Sequence, residues 1–246
     1  MTGRLPGAAG RTSVGGPQVG GPQIGGPLIQ TADSASLVRY WVDEDAVRRP
    51  VLAWRAPSGW RAISSAVVGG GIGEFAWWLN AQVDLNYSHP DPAAHARELA
   101  DGLGLDGDGV AMLTAADVEV FRSAVDGGVQ VVATVGLGLP VLAAASEQAQ
   151  QHEVGTINVL VLVPAPLSDA ALVNLVITVT EAKTQALIEA GVPGTGTSSD
   201  AVCVAAQAVS DGVQSSGPTA DPDLLYGGPR SLWGSRAARA LSLIHI

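Results

Sequence analysis

Two carboxylates and a lysine lie close together in the most apolar third of this chain. Glu181 and Lys183 stand in the segment TEAKTQAL, residues 180–187, and Asp200 follows a turn rich in Gly and Thr. Lys183 is the only lysine among the 246 residues. A buried charge is costly unless it is paired, so each of these groups needs a partner or a shifted pKa. Because a carboxylate in dry surroundings can act as a general base, this region is the first candidate for a polar functional site.

The sequence around Glu181 predicts an α-helix over residues 168–190, which begins at the N-cap Ser168 and ends before Gly191. At ~100° per residue, one narrow stripe of this helix is polar, and the rest of its circumference is mostly Leu, Val, Ile and Ala. We therefore expect a helix that is buried nearly all round and carries a single polar seam. The seam consists of Asn174, Thr178, Glu181 and Gln185.

Lys183 lies about 200° from Glu181 around the same helix, so the two side chains cannot pair with each other. We expect Lys183 either to meet a carboxylate from another element, such as Asp200, or to extend into a ligand cavity. Glu181 then has a separate role on the polar seam. For Glu181 and Asp200, a purely structural polar network is the alternative to a role in catalysis.

Turns and strand ends supply further candidates, for ligand binding. Serines end a predicted strand beside a run of glycines, hydroxyls occupy the turn before Asp200, and an arginine follows Gly-Gly-Pro. Each has a structural alternative, namely a strand-end hydroxyl, a close approach of backbone at glycine, or a surface salt bridge. The candidate substrate-binding residues are Ser64, Ser65, Gly70, Gly71, Asn158, Asn174, Thr195, Thr197 and Arg230.

Composition limits the classes of function. The chain is 47% hydrophobic and its formal net charge is −10, which argues against nucleic acid or an anionic membrane surface as a partner. No uninterrupted apolar run reaches the ~18 residues of a membrane span, and the N-terminus lacks an apolar signal core. We expect a cytoplasmic protein, and the sequence leaves its oligomeric state open.

Cysteine and histidine offer little chemistry in this sequence. The lone cysteine, Cys203, stands in an apolar predicted strand and is more consistent with a small core residue than with a nucleophile. We expect no metal site, because the spacing typical of zinc ligands is missing among the four histidines. These are His89, His95, His152 and His245.

The chain divides into three parts. Residues 1–31 contain the pentads GGPQV, GGPQI and GGPLI and are predicted to be a disordered tail, because such repeats bury too little apolar surface. Residues 32–240 are predicted to form a single α+β domain with a mixed, largely antiparallel β-sheet and packed helices; an α/β layered sandwich is the alternative. Residues 241–246, LSLIHI, do not continue the pattern of the preceding helix. They resemble a translated sequencing adapter, and we interpret them as an artefact.

Local signals predict several elements of this domain. Asp91 and Pro92 are typical of the start of a helix, and Asp126-Gly127-Gly128 predicts a β-hairpin. The segment TINVLVLVPAP has few polar breaks and predicts a strand that is buried on both faces. A further helix is expected to begin near Ser231.

Eight segments together resemble the adenosylcobinamide amidohydrolase family (CbiZ type), over roughly residues 63–240. One departure is the pair Ser198-Ser199, which stands where the family usually has Ala-Thr before Asp-Ala-Val. The hydroxyl is retained at Ser199. The segments are ISSAVVGGGIG, DP at 91–92, GVAMLTAADV, VVATVGLGLP, GTINVLVLVP, LSDAALVNLVITVTEAKTQAL, GVPGTGTSSDAVCVAA and GGPRSLWGSRAARA.

The resemblance implies an enzyme of cobinamide salvage. Such an enzyme hydrolyses the amide that joins aminopropanol to a propionyl side chain of the corrin ring, giving adenosylcobyric acid and 1-amino-2-propanol. The corrinoid is then the substrate, and no cofactor is implied. A corrinoid-binding protein without hydrolytic activity is the alternative, although the chain lacks a corrinoid-ligating Asp-x-His-x-x-Gly motif. A structural interaction module is a third possibility, and the polar seam argues against it.

The residues suggest how the amide would be hydrolysed. Amide hydrolysis needs an activated water or nucleophile, stabilisation of the oxyanion, and a proton for the leaving amine. We expect Glu181 to be the base, with Asp200 as the alternative, and Lys183 or Arg230 to polarise the carbonyl. The glycine turns at residues 69–73 and 194–196 can offer backbone N–H groups to the oxyanion.

The tail provides the first testable prediction. Deleting residues 1–30 should leave both the melting temperature and the turnover unchanged, because the Gly/Pro pentads contribute no core. Thermal unfolding and a steady-state assay of the shortened and full chains measure this. A large fall in either quantity would show that the tail belongs to the folded domain.

Overall fold

The fold is seen in a computed structural model, which describes residues 37–44, 47–146, 155–208 and 221–244. The predicted tail at residues 1–31 lies outside the described residues, as do His152 and His245. The disorder predicted for the tail therefore stays a prediction.

Within the described ranges, strands and helices follow one another in a mixed order that suits an α+β domain. The helices are α1 (Pro92–Gly102), α2 (Asp169–Glu189), α3 (Pro222–Leu225) and α4 (Leu232–Ser242). The strands are β1 (Val38–Glu44), β2 (Val47–Arg55), β3 (Trp60–Ser64), β4 (Gly71–Glu74), β5 (Trp77–Gln82), β6 (Gly109–Thr114), β7 (Arg122–Asp126), β8 (Val129–Gly136), β9 (Thr156–Val163) and β10 (Ala201–Gln207).

The strands form two sheets rather than the one we expected. A four-stranded sheet has the order β1-β2-β5-β6, and a six-stranded sheet has the order β4-β3-β10-β9-β8-β7. Of the eight pairings between these strands, six are antiparallel, and only β5-β6 and β9-β10 are parallel. Each sheet is thus mixed and largely antiparallel, as predicted.

Three apolar clusters show that the sheets are stacked between helices. One cluster, which includes Trp54, Trp78 and Leu160, draws side chains from both sheets and lies between them. A second joins the four-stranded sheet to α1, and a third joins the six-stranded sheet to α2 and α4. The layers therefore run helix, sheet, sheet, helix, which confirms an α+β fold in a layered arrangement.

The local signals read from the sequence correspond to real element boundaries. The Asp91 side chain accepts a hydrogen bond from Ala94 N at the start of α1, and Ser168 does the same for Ala171 N at the start of α2. The hairpin between β7 and β8 turns at two glycines, which both have positive φ, as a two-residue hairpin of this kind requires. Every residue of β9 is buried, as predicted.

Helix α2 is buried along one face only, so the expectation that it is buried nearly all round is wrong. Its inner face contributes Leu172, Leu175 and Leu187 to the core, whereas Val173 and Ile177 on the outer face are exposed. By length and composition α2 could cross a membrane, yet half of its most apolar window is buried inside the protein. That burial is typical of a helix packed on a sheet.

Helix α4 begins after its N-cap Ser231, as predicted, and continues beyond residue 240 to Ser242. Leu241 is fully buried, and Ile244 joins the same apolar cluster. The expectation that residues from 241 onward leave the helical pattern is therefore wrong for Leu241. The interpretation of residues 241–246 as an artefact stays a prediction.

The glycine run after β3 lets two backbones come into contact. Gly69 has φ of +71°, and a Cβ added to it would overlap the carbonyl oxygen of Gly109 and lie 3.0 Å from its carbonyl carbon. The neighbouring Val68 pairs with Ala111 of β6 through a hydrogen bond from Ala111 N to Val68 O. The close backbone approach considered for this run is therefore present at Gly69.

Substitution of Gly69 tests this contact. Gly69→Ala should lower the free energy of unfolding by about 2 kcal/mol or more, because it adds both left-handed strain and a steric overlap. Gly73→Ala is the matched control, since a Cβ there meets nothing within 4 Å, and it should change stability by less than about 0.5 kcal/mol. Denaturant unfolding measures the stability of both variants. Equal stabilities of Gly69→Ala and Gly73→Ala would contradict the contact between Gly69 and Gly109.

Candidate functional site

Asp200 stands at the centre of a dense group of hydrogen bonds. Its Oδ1 accepts from Ile157 N at 2.9 Å and from the Thr197 hydroxyl, and its Oδ2 accepts from Thr197 N at 3.2 Å and from Lys183 Nζ. Both carboxylate oxygens are thus occupied by two donors each. The carboxylate is therefore engaged on both oxygens by groups of the protein itself.

Lys183 and Asp200 form a buried ion pair between α2 and the start of β10. Their side chains are only 8% and 13% exposed. Gly196 packs directly against the pair, because a Cβ on it would overlap Asp200 Oδ2 and lie 2.6 Å from Lys183 Nζ. The partner proposed for Lys183 from the sequence is the one that it meets. The pair fixes the turn before β10, and the catalytic role expected for either group stays a prediction.

The two threonines of the turn also serve its structure. Thr197 binds Asp200, as described above, and Thr195 Oγ1 accepts from Ala143 N at 2.9 Å. Thr195 is held further by Thr184 Oγ1, which donates to its carbonyl at 3.2 Å. Neither side chain lines the cavity described next, so the structure does not place them where they were expected, in contact with a substrate.

A cavity of about 430 Å³ opens beside this turn, where strands of both sheets end. One wall comes from the end of β6 and the segment that follows β5. The opposite wall comes from the starts of β9 and β10. Its polar lining residues are Ser65, Asp84, Tyr87, Thr114, Thr156, Asn158, Ser199 and Asp200, and its apolar ones include Val67, Leu85 and Met112.

Hydroxyl groups line the wall that comes from the six-stranded sheet. Thr156 Oγ1 and Ser199 Oγ lie 2.7 Å apart, and Ser199 Oγ donates to Gly155 O at 2.9 Å. Ser65 lies nearby, because its Oγ accepts from Val202 N at 3.1 Å. Thr156 is buried, whereas Ser199 and Ser65 are exposed. The oxygens of these hydroxyls can therefore accept hydrogen bonds from a water in the cavity.

Asn158 connects the two sheets at the base of the cavity. Its Nδ2 donates to Asn80 Oδ1 at 2.9 Å and to Leu113 O at 3.1 Å, and Asn80 Nδ2 donates to Thr134 Oγ1 at 2.8 Å. Asn158 is 2% exposed. Its Oδ1 has no hydrogen-bond partner among the described residues. A buried amide oxygen without a donor is costly, so this atom is suited to a donor supplied by a ligand.

An ionised carboxylate marks the mouth of the cavity. The N–H of Asn86 and the guanidinium of Arg49, which lies 3.0 Å away, hold the pKa of Asp84 below its usual range. The carboxylate is exposed to solvent. The mouth of the cavity therefore carries an ion pair between Asp84 and Arg49.

Several residues predicted for the site lie elsewhere. Glu181 is exposed on the outer face of α2, beside a shallow depression, so it does not lie in the dry pocket that was expected around it. The polar seam expected inside the protein is not buried there, because its face of α2 is exposed and also carries apolar residues. Asn174 accepts from Gly227 N at 3.3 Å in the segment before α4. Arg230 is exposed in that segment. None of the three lines the cavity.

The glycines and Ser64 are also absent from this cavity. Gly70 lines a second cavity of about 400 Å³, which lies at the opposite end of β6, near Gly109. Gly71 is exposed and lines neither cavity. Ser64 is buried, and its hydroxyl accepts from Ala66 N at 3.0 Å. Of the predicted residues, the cavity thus brings together Ser65, Asn158 and Asp200.

Cys203 is a core residue. It is fully buried between the two sheets, and burial raises the pKa of its thiol to about 12. A thiol of this kind stays protonated at neutral pH and is a weak nucleophile. The prediction that Cys203 is structural is confirmed.

Sequence reasoning missed Thr156, Tyr87 and Asp84 as cavity residues. Each is an ordinary residue type: Asp84 and Tyr87 lie in the segment between β5 and α1, and Thr156 lies much later in the chain, at the start of β9. A partial signal existed at Thr156, because it opens the buried strand β9 with a hydroxyl.

Comparison with known proteins identifies a family and a relative within it. The chain matches the family described as adenosylcobinamide amidohydrolase over residues 35–242. It is also 31% identical over 179 residues to the adenosylcobinamide amidohydrolase of Methanosarcina mazei, covering 72% of this chain and 84% of that protein.

Two solved structures are similar at lower levels. The PH0078 protein of Pyrococcus horikoshii is 14% identical, with a TM-score of 0.43, over 81% of this chain and 77% of its own. The L-aminopeptidase D-Ala-esterase/amidase of Ochrobactrum anthropi is also 14% identical, with a TM-score of 0.42, over 87% of this chain and 83% of its own.

The ion pair yields a prediction about stability. Lys183→Met should lower the free energy of unfolding by about 3–5 kcal/mol, because it leaves the Asp200 charge buried without its partner. The double variant Lys183→Met/Asp200→Asn should be more stable than the sum of the single effects. Lys183→Arg should also destabilise, since Gly196 leaves no room for a planar guanidinium.

Denaturant unfolding of the single and double variants measures this coupling. Gln185→Ala, on the exposed face of the same helix, is the control and should shift stability by less than about 0.5 kcal/mol. Additive effects of Lys183→Met and Asp200→Asn would mean that the two groups do not interact.

Proposed function

Because this chain belongs to the adenosylcobinamide amidohydrolase family, we propose that it cleaves the amide between aminopropanol and the corrin propionyl side chain of adenosylcobinamide. The products are adenosylcobyric acid and 1-amino-2-propanol, and the acid returns to cobalamin synthesis. The corrinoid is a substrate and not a resident cofactor. The observation that carries this proposal is a cavity that combines hydroxyl groups, an amide oxygen without a donor, and apolar walls.

The size of the cavity supports entry of the substrate's side arm. Its volume of about 430 Å³ lies toward the small end of the range for ligand sites, roughly 300–1,000 Å³. A propionamide arm ending in aminopropanol suits such a space better than a whole macrocycle. Val67 and Leu85 line the cavity and are 48% and 63% exposed. They can contact the apolar part of the corrin ring, which remains outside.

The polar groups of the cavity match the groups of an amide. The unpartnered Asn158 Oδ1 can accept the N–H of the scissile amide. The Ser199 oxygen lies 2.7 Å from Thr156 Oγ1, and because its own proton is donated to Gly155 O, it can accept a hydrogen bond from the attacking water. An acceptor fixed in this way orients the water toward the amide carbon. The Lys183–Asp200 pair helps to hold Ser199 in place, because Asp200 is the next residue in the chain.

Substitution at Ser199 tests this assignment. Ser199→Ala should lower kcat for release of 1-amino-2-propanol by about 10²-fold or more, because a hydrogen bond to the reacting groups is lost. Ser199→Thr, which restores a hydroxyl, should retain most of the activity. Ser198→Ala is the matched control, since Ser198 is exposed and does not line the cavity.

The measurement is chromatographic detection of 1-amino-2-propanol and of the corrinoid acid formed from adenosylcobinamide. Wild-type protein that binds adenosylcobinamide but releases no aminopropanol would support the corrinoid-binding alternative. Normal turnover by Ser199→Ala would show that the Ser199 and Thr156 hydroxyls do not take part in the reaction.

A further inference from the structure

A tyrosine and a histidine form a hydrogen-bonded pair on the cavity wall opposite the hydroxyls. Tyr87 lines the cavity, and its hydroxyl lies 2.8 Å from His95 Nδ1. His95 is 8% exposed and stands in the second turn of α1. A phenol in contact with a cavity, backed by a buried imidazole, is an arrangement that can move protons.

Ring stacking and helix capping hold the pair in position. The rings of Tyr87 and His95 stack with centroids 5.5 Å apart and an interplanar angle of 28°. His89 stacks on His95 at 5.1 Å, and its Nδ1 lies 2.8 Å from Asp91 O. Asp91 caps α1, so the same short segment fixes the helix that presents His95.

We propose that Tyr87 and His95 form the proton relay of amide hydrolysis, with Tyr87 as the catalytic residue in the cavity and His95 as the residue that exchanges its proton. This inference rests on the proposed function, because it needs an amide in the cavity. It assigns the group that transfers protons in the proposed reaction. Both oxygens of Asp200 are occupied by other donors, and Glu181 lies on the outer surface.

The relay works in two balanced steps. In the first, the water oxygen bonds to the amide carbon, a water proton passes to the Tyr87 oxygen, and the Tyr87 proton passes to His95 Nδ1. The carbonyl electron pair moves to oxygen and forms the oxyanion. In the second, that pair restores the C=O bond and the C–N bond breaks. The amine nitrogen takes a proton from Tyr87, which recovers one from His95 Nδ1. The products are the acid and the amine, and both side chains return to their starting states.

Removal of the phenol hydroxyl tests the relay. Tyr87→Phe should lower kcat for aminopropanol release by about 10²–10⁴-fold, the usual contribution of a positioned acid or base, with little change in KM. His95→Gln should show a similar loss. Tyr226→Phe is the matched control, because Tyr226 is exposed and does not line the cavity, and it should keep near-normal kcat. Thermal unfolding of each variant confirms that it is folded.

A change of leaving group separates a proton relay from a structural role. An ester analogue, in which an oxygen replaces the amide nitrogen, has a leaving group that needs less help from an acid. Tyr87→Phe should therefore lose roughly tenfold less activity on the ester than on the amide. Equal losses on both substrates would overturn the relay, as would normal amide turnover by a folded Tyr87→Phe.

The proposed function and the relay fail in different ways. A wild-type protein that releases no aminopropanol would overturn both. A wild-type protein that releases aminopropanol, with a Tyr87→Phe variant that does so equally fast, would overturn the relay alone.

Discussion

The buried ion pair between Lys183 and Asp200 is the interaction on which the cavity wall depends. It joins the outer helix layer to the start of β10, and through the N–H of Ile157 it also reaches β9. Two charges are costly to remove from water, and the cost is met here because the carboxylate accepts four hydrogen bonds. Ser199, at the end of the turn before β10, is held in position through this pair.

Local chemistry was predictable from the sequence, because the signals are short and have one physical meaning. Asp91 and Ser168 supply oxygens to the free N–H groups of helix starts, and paired glycines allow the hairpin between β7 and β8. The pairing of Lys183 with Asp200 was also predictable, since a single buried ammonium requires a carboxylate and the helix geometry excluded Glu181.

The outer face of α2 and the composition of the cavity were not predictable in the same way. Helical periodicity showed a polar stripe, but it could not reveal that Val173, Ile177 and Ile188 would be exposed. Apolar side chains often remain at the surface, so an apolar majority does not prove burial on all sides. The cavity draws on the ends of strands that are far apart in the chain, and their convergence follows from the stacking of two sheets, which no local pattern encodes.

The hydrogen-bonded side chains of Thr134, Asn80 and Asn158 have a mechanical consequence. Apolar contacts between stacked sheets are non-directional, so by themselves they resist sliding of one sheet over the other only weakly. The hydrogen bonds from Asn80 to Thr134 and from Asn158 to Asn80 and Leu113 are directional and cross this interface. They oppose shear between the sheets at the end where the cavity opens. The width of the cavity is therefore set locally, and repacking of the distant inter-sheet core should leave it largely unaltered.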